Sequence, residues 1–207
     1  MNEQMKEQMD KARLGAIGEN NVVSMLMQHG WDAFNANCSI KNYKSIDIIC
    51  INSDDKKVKE LKPNDKPTCE SSERPWKPQI ALIQVKTSRQ TDIPIGFNIK
   101  QCLNEEYLKE NVKGAYVFVY IKDKDGKPNF RYFILSREQF IKLAHKSQRH
   151  YTNGYSRDKE LKYEAPALLK IKWLEGKGEE ATDKHDIFNN PLNGISCEDC
   201  WDNIWIE

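Results

Sequence analysis

Nowhere in the chain do about 18 apolar residues follow one another, which excludes a membrane-spanning helix of the usual length. The opening MNEQMKEQMDKAR lacks the apolar stretch of a secretory signal. A reducing, cytoplasmic setting is therefore the expectation, and the six cysteines read as thiols instead of a disulfide framework. One CxxC, Cys197 to Cys200, has no second pair and only His185 near it. Structural zinc needs four ligands, so these are read as incidental thiols. There is no internal repeat, no phosphate-cradling GxxxxGKS/T motif and no inferable Ser-His-Asp or Cys-His arrangement. Net charge is scarce too: 32 basic and 31 acidic residues leave +1 over 207 residues. That balance argues against a protein whose only task is to coat nucleic acid.

Hydrophobic residues make up 39% and charged residues 30%, enough for a real core in one domain. The charge is unevenly placed. Residues 1–175 carry 30 basic and 23 acidic groups, and residues 176–207 carry two and eight. The expected organisation is one domain over residues 1–175 and an acidic extension over 176–207, packed on it through Trp201 and Trp205. A basic body is weakly compatible with a polyanionic partner.

Apolar spacing predicts a helix from about Glu7 to Gln28, with Ala12, Gly15, Ala16, Val22, Val23, Leu26 and Met27 on one arc and Gly30 as its C-cap. Strands are predicted at Asp32–Cys38, Ser45–Ile51, Ile80–Thr87, Ala115–Ile121 and Phe130–Leu135, the last two joined by a turn at Asp125-Gly126. A polar, proline-rich insertion fills residues 52–79. A helix is predicted from Asn98 to Glu110, with Asn98 and Gln101 at capping-box spacing. Ser136 and Gln139 have the same spacing and start another, ending near Ser147. Residues 148–165 read as irregular and Ala167–Leu174 as a further strand. This order implies an α/β (α+β) fold with a mixed central sheet flanked by helices.

Three segments place polar groups where apolar ones belong. Glu19 sits on the apolar arc of the first helix. Asp47 is the only charge in SIDIICI, a strand apolar on both faces. Gln84 and Lys86 point the same way from IALIQVKT. A carboxylate on a buried face is costly unless it is paired or bound to a cation. One polar site explains all three: Asp47 and Gln84 offer oxygens to a hard divalent cation, Glu19 reaches in from the helix, and the Val85 carbonyl adds a ligand. Lys86 beside them can meet a phosphate oxygen or orient water. That collection suits phosphodiester hydrolysis.

The segments LGAIGE (Leu14–Glu19), SID ending at Asp47 and QVK (Gln84–Lys86), in this order, resemble the PD-(D/E)xK nuclease superfamily with its restriction-endonuclease-like fold. The resemblance covers roughly residues 12–121. It is nearest the resolvase-like and Mrr-like branches and uncharacterised members. It implies the core order α-β-β-β-α-β, here with an extra strand and helix. It also implies Asp47 and Gln84 as metal ligands, Glu19 as an accessory ligand, Lys86 as the catalytic lysine, Mg²⁺ or Mn²⁺ as cofactor and DNA as substrate. Two positions depart from the pattern. Ile46 stands where the motif has proline, and Gln84 stands where it has a carboxylate. A neutral amide oxygen binds a cation more weakly, though branches with the same QxK variant are thought active.

The expected protein is thus a metal-dependent DNA endonuclease, with no membrane partner, and a homodimer because two strands must be cut. The alternative is a catalytically degenerate module of the same fold that binds nucleic acid or a protein. Thr87, Ser88 and Arg89, the insertion 52–79, and the basic stretch with Lys142, Lys146 and Arg149 interleaved with Tyr151 are the expected DNA contacts.

Overall fold

A computed structural model describes residues 3–38, 46–52, 79–155, 162–181 and 186–206. The insertion expected at 52–79 lies outside the described residues apart from its two ends, as do Ser45 and His185. Among the described residues no helix is long and apolar enough to cross a membrane.

Helix α1 (Glu3–Gln28) starts earlier than the apolar spacing indicates. Its buried stripe is Gly18, Val22 and Leu26, whereas Ala12, Ala16 and Met27, expected on the same arc, are exposed. The arc is wider than the strip of sheet the helix covers, and the sheet takes the side where Gly18 allows close approach. At its end Gly30 has φ 81°. Trp31 N–H donates to Leu26 O and Gly30 N–H to Met27 O, a glycine-capped terminus.

Strands β1 (Asp32–Asn35), β2 (Ile48–Asn52), β3 (Gln79–Ser88), β5 (Ala115–Lys124) and β6 (Lys127–Leu135) form one sheet, in the order β1-β2-β3-β5-β6. All neighbours are antiparallel except β3 and β5, which are parallel. The fold is α/β: a five-stranded mixed sheet flanked by helices. The strand expected at Asp32–Cys38 ends at Asn35 and passes into a 3₁₀ turn, Ala36–Cys38. The β5–β6 turn has Asp125 at φ 53° and Gly126 at φ 74°, the two positive values a tight hairpin requires.

Between β3 and β5 the chain crosses over through β4 (Asp92–Asn98), α2 (Ile99–Leu103) and α3 (Glu105–Asn111). The single helix expected at 98–110 is thus broken at Asn104, whose side chain accepts from Tyr107 N–H and caps a second start. The capping box of Asn98 and Gln101 is present. Helix α4 (Arg137–Tyr155) outruns the expected end at Ser147 by two turns. The last predicted strand is β7 (Pro166–Lys170), followed by a helical turn, α5 (Ile171–Leu174), instead of continuing to Leu174. Strand β7 pairs with β4 in a separate two-stranded sheet.

One face of the main sheet (Ile83, Val85, Val117, Val119, Ile134) packs on Val22 and Leu26 of α1 and on Trp201 and Ile204 from the end of the chain. The other (Tyr116, Phe118, Phe133, Leu135) packs under α2, α4 and the β4–β7 pair. There Tyr116 stacks on Phe140 with ring centroids 3.5 Å apart. Residues 186–206 bury Leu192, Cys197, Trp201 and Ile204. Trp201 meets the rings of His29 and Tyr132, and Trp205 stands edge-on to Trp31. Arg131 of β6 joins this segment to the body through Glu198 at 2.6 Å and Glu175 at 2.8 Å.

Candidate active site

The carboxyl end of β3 gathers the polar residues. Asp47 lies one residue before β2, and the register that sets Ile48 against Ile83 carries on to set Asp47 against Gln84. Asp47 N–H donates to Ile83 O at 2.9 Å, and Ala36 N–H donates to Asp47 O at 2.7 Å. Both side chains are buried, Asp47 at 8% and Gln84 at 9% exposure. The Asp47 carboxylate accepts from three donors: Val85 N–H at 2.8 Å, Asn37 Nδ2 at 3.0 Å and the Gln84 amide nitrogen. In an extended strand the N–H and C=O of one residue point to the same edge. The Val85 carbonyl therefore lies on the edge that faces Asp47.

Glu19 arrives from α1. The preceding Gly18 has no room for a side chain, because a Cβ there would fall 1.7 Å from Thr87 Oγ1. The contact presses α1 onto the end of β3 and delivers Glu19, half-buried, where its Oε2 accepts from Asn35 Nδ2 at 2.9 Å. Lys86 stands two residues beyond Gln84 on the same face and reaches past Gly96, where a Cβ would lie 3.4 Å from its Nζ. Gly96 has φ 90° and sits where the β4–β7 register slips, so a bulge without a side chain leaves space for the lysine. Burial pushes the Lys86 ammonium below its ordinary pKa, and the charges of Asp47 and Glu19 pull it back. Tyr116, beside Gln84 on β5, has its phenol raised by burial first and by the Asp47 charge second.

The structure brings together Glu19, Asp47, Gln84, the Val85 main chain and Lys86. It gives the expected DNA contacts other settings. Thr87 Oγ1 is buried without a hydrogen-bond partner against Gly18. Ser88 is 7% exposed, and its hydroxyl closes the turn into β4 by bonding Gln90 N–H and C=O. Neither offers its hydroxyl to solvent. Arg89 is exposed at that turn. Lys142, Lys146 and Arg149 are exposed on α4. Lys142 pairs with Glu138 at 2.6 Å and faces Pro191, Leu192 and Ile195. That segment borders β6, three strands from β2, so the structure does not bring Lys142 to Asp47. Cys197 is buried, which pushes its thiol up to about 12.

No family model matches the chain, and neither a curated protein nor a solved structure matches it. The chemistry has to be read from the donors themselves. Among the described residues no three of His, Cys, Asp and Glu gather as one metal-binding group. The candidate set is two carboxylates, the Gln84 amide oxygen and one main-chain carbonyl. Oxygen donors alone suit a hard cation such as Mg²⁺ or Mn²⁺, which keeps several waters and asks little of the protein. Two carboxylates against one ammonium leave the site net negative, and this also fits a cation. Sequence reasoning missed Asn35, Asn37 and Gly96. Asn-Ala-Asn after a short strand reads as turn chemistry, and Gly96 as a strand breaker; neither pattern signals what the side chain or the gap will face.

Proposed function

We propose that this protein is a metal-dependent DNA endonuclease of the restriction-endonuclease-like kind, working as a cytoplasmic homodimer. One observation carries the reading: Glu19, Asp47, Gln84 and Lys86, from three separated segments, converge at one end of β3 in the chain order the resemblance implies, with Asp47 just ahead of β2 and not within the strand expected at Ser45–Ile51. Asp47, Glu19, the Gln84 amide oxygen and the Val85 carbonyl would hold Mg²⁺ or Mn²⁺. When bound, such a cation would supply a polarised water and positive charge for the phosphoryl transition state. Asp47 is fixed by main chain on both sides, so its carboxylate is pre-oriented. Lys86 stands in a desolvated place, where an ammonium would interact more strongly with a phosphate oxygen than it does in water. Gln84 would offer its oxygen to the cation by turning its amide, since Nε2 faces Asp47. Arg89, exposed just beyond Lys86, would meet the DNA backbone.

A second reading has a specific observation behind it. All three N–H groups aimed at Asp47 are satisfied by it, as in a structural carboxylate, which favours a module of the same fold that binds without cutting. Cleavage of plasmid, linear duplex, four-way junction and single-stranded DNA in Mg²⁺ and in Mn²⁺ separates the two. The nuclease reading expects metal-dependent cleavage by the wild type that is lost in Lys86→Ala and in Asp47→Asn, both still folded. Cleavage that survives in Asp47→Asn would refute the assignment. A folded wild type that neither cleaves nor binds Mn²⁺ by calorimetry would leave the binding module.

A further inference from the structure

The two carboxylates of the candidate site are joined by a chain of hydrogen bonds through residues 35 to 37. Asn35 Nδ2 donates to Glu19 Oε2 at 2.9 Å. The other end of the same amide, Asn35 Oδ1, accepts from Asn37 N–H at 2.8 Å, closing an Asx turn. Asn37 Nδ2 then donates to Asp47 Oδ1 at 3.0 Å. Between them Ala36 N–H donates to Asp47 O at 2.7 Å. One short turn therefore grips Asp47 by main chain and side chain, and Glu19 by side chain. It ties α1, the end of β1 and the start of β2 to one another at the place where the carboxylates must be held. A turn needed only to reverse the chain requires the Asx bond and nothing more. The two outward amide N–H groups add nothing to the turn and go to the two acids.

We infer that Asn35 and Asn37 are positioning residues, which set the separation and orientation of Glu19 and Asp47 for a divalent cation. The inference rests on the nuclease reading. Hydrogen bonds to a ligating carboxylate fix its direction, and loss of such partners typically weakens metal affinity or activity by about 10–100-fold. Because Asn35 orients Asn37 through the turn, the two act in series and not in parallel.

The test is Mn²⁺-dependent cleavage of the DNA that the wild type cuts, measured with the full-length chain. The concentration of Mn²⁺ at half-maximal rate, kcat and KM for DNA are determined separately, and Tm is followed beside them. Asn37→Ala is expected to raise the half-saturating Mn²⁺ concentration by about 10–100-fold with little change in KM for DNA. Asn37→Ser, which keeps a donor on a shorter arm, should recover part of the loss. Asn35→Ala is expected to cost as much as the Asn35→Ala/Asn37→Ala double variant. A turn that serves only the fold would lower Tm without moving the Mn²⁺ requirement. Wild-type cleavage with an unchanged Mn²⁺ requirement in folded Asn37→Ala and Asn37→Ser would overturn the inference and leave the nuclease reading standing. A folded wild type that neither binds Mn²⁺ nor cleaves would overturn both.

Discussion

Gly15 and Gly18 lie three residues apart in one helix and should respond to alanine in opposite directions. Alanine in a helix interior is worth about 1 kcal/mol over glycine. At Gly15 nothing lies within 4 Å of an added Cβ, so Gly15→Ala should gain most of that. At Gly18 the same methyl would sit 1.7 Å from Thr87 Oγ1, 2.9 Å from its Cβ and 3.0 Å from its Cγ2. Rotating Thr87 moves the oxygen and the methyl but not the Cβ, so the helix itself must lift. Overpacking of this kind costs about 1–3 kcal/mol, which outweighs the propensity gain. The propensity gain is common to both, so the two variants should differ by the overpacking cost alone, about 1–3 kcal/mol in urea unfolding, or several degrees in Tm for a chain of this size. Thr87→Ala in the Gly18→Ala background removes two of the three contacts and should restore part of the loss. Lifting α1 also withdraws Glu19, the next residue, so on the proposed reading Gly18→Ala loses metal-dependent cleavage while Gly15→Ala keeps it. Equal stability of the two single variants would mean that α1 is not pressed onto β3 at Gly18, and the account of how Glu19 reaches the site would fail.

Glu179 should contribute to acid unfolding elsewhere in the fold. Burial alone would raise its carboxyl, but Lys170 and Lys172 hold it down, from 4.5 to about 2. A depressed carboxylate stabilises the fold fully above its unfolded value and loses that contribution as pH falls through the folded one. The unfolding free energy should drop by on the order of 3 kcal/mol between pH 4.5 and 2 from this group. Glu179→Gln should flatten that part of the pH–stability curve, and a curve unchanged by the substitution would refute the assignment. Trp201, 3% exposed between His29 and Tyr132, binds the end of the chain to α1 and the sheet. Trp201→Ala should cost about 3–5 kcal/mol, read as a lower urea midpoint at an unchanged slope.

The elements most legible in the sequence are those whose signals are local. The two capping boxes, Gly30 and the Asp125-Gly126 turn each depend on neighbours within a few residues. Strand β4 was missed although Ile93, Ile95 and Phe97 alternate, because Pro94 and Gly96 between them read as strand breakers. A strand that pairs on one edge only, with β7, can carry a proline facing outward and a bulged glycine. The break at Asn104 was hidden for a related reason: Asn98 to Glu110 is polar and periodic enough for one helix, and only the second cap divides it. The width of the buried arc on α1 is a tertiary fact, set by which side the sheet selects. Glu19, Asp47, Gln84 and Lys86 stood out because each breaks an apolar pattern. Asn35 and Asn37 break none, since asparagine after a strand is ordinary turn chemistry, and their partners are 16 and 10 residues away.

Gln84 is where the sequence departs from the motif, and its surroundings give the departure a physical sense. Residue 84 stands directly across from Asp47 on the neighbouring strand, and both are buried. Two ionised carboxylates so placed repel each other strongly unless a cation lies between them or one takes a proton. The cation-free fold would then carry an unpaired buried charge. An amide at 84 removes that conflict, because its nitrogen donates to Asp47 while its oxygen remains available as a donor atom to a metal. The balance of charge also changes. With glutamine the site holds two carboxylates against Lys86; with glutamate it would hold three. The amide therefore lowers the electrostatic attraction for a divalent ion and raises the stability of the site without one. On the proposed reading, the residue that makes this motif unusual is the residue that keeps Asp47 paired before the cation arrives, and that must turn its amide when the cation binds.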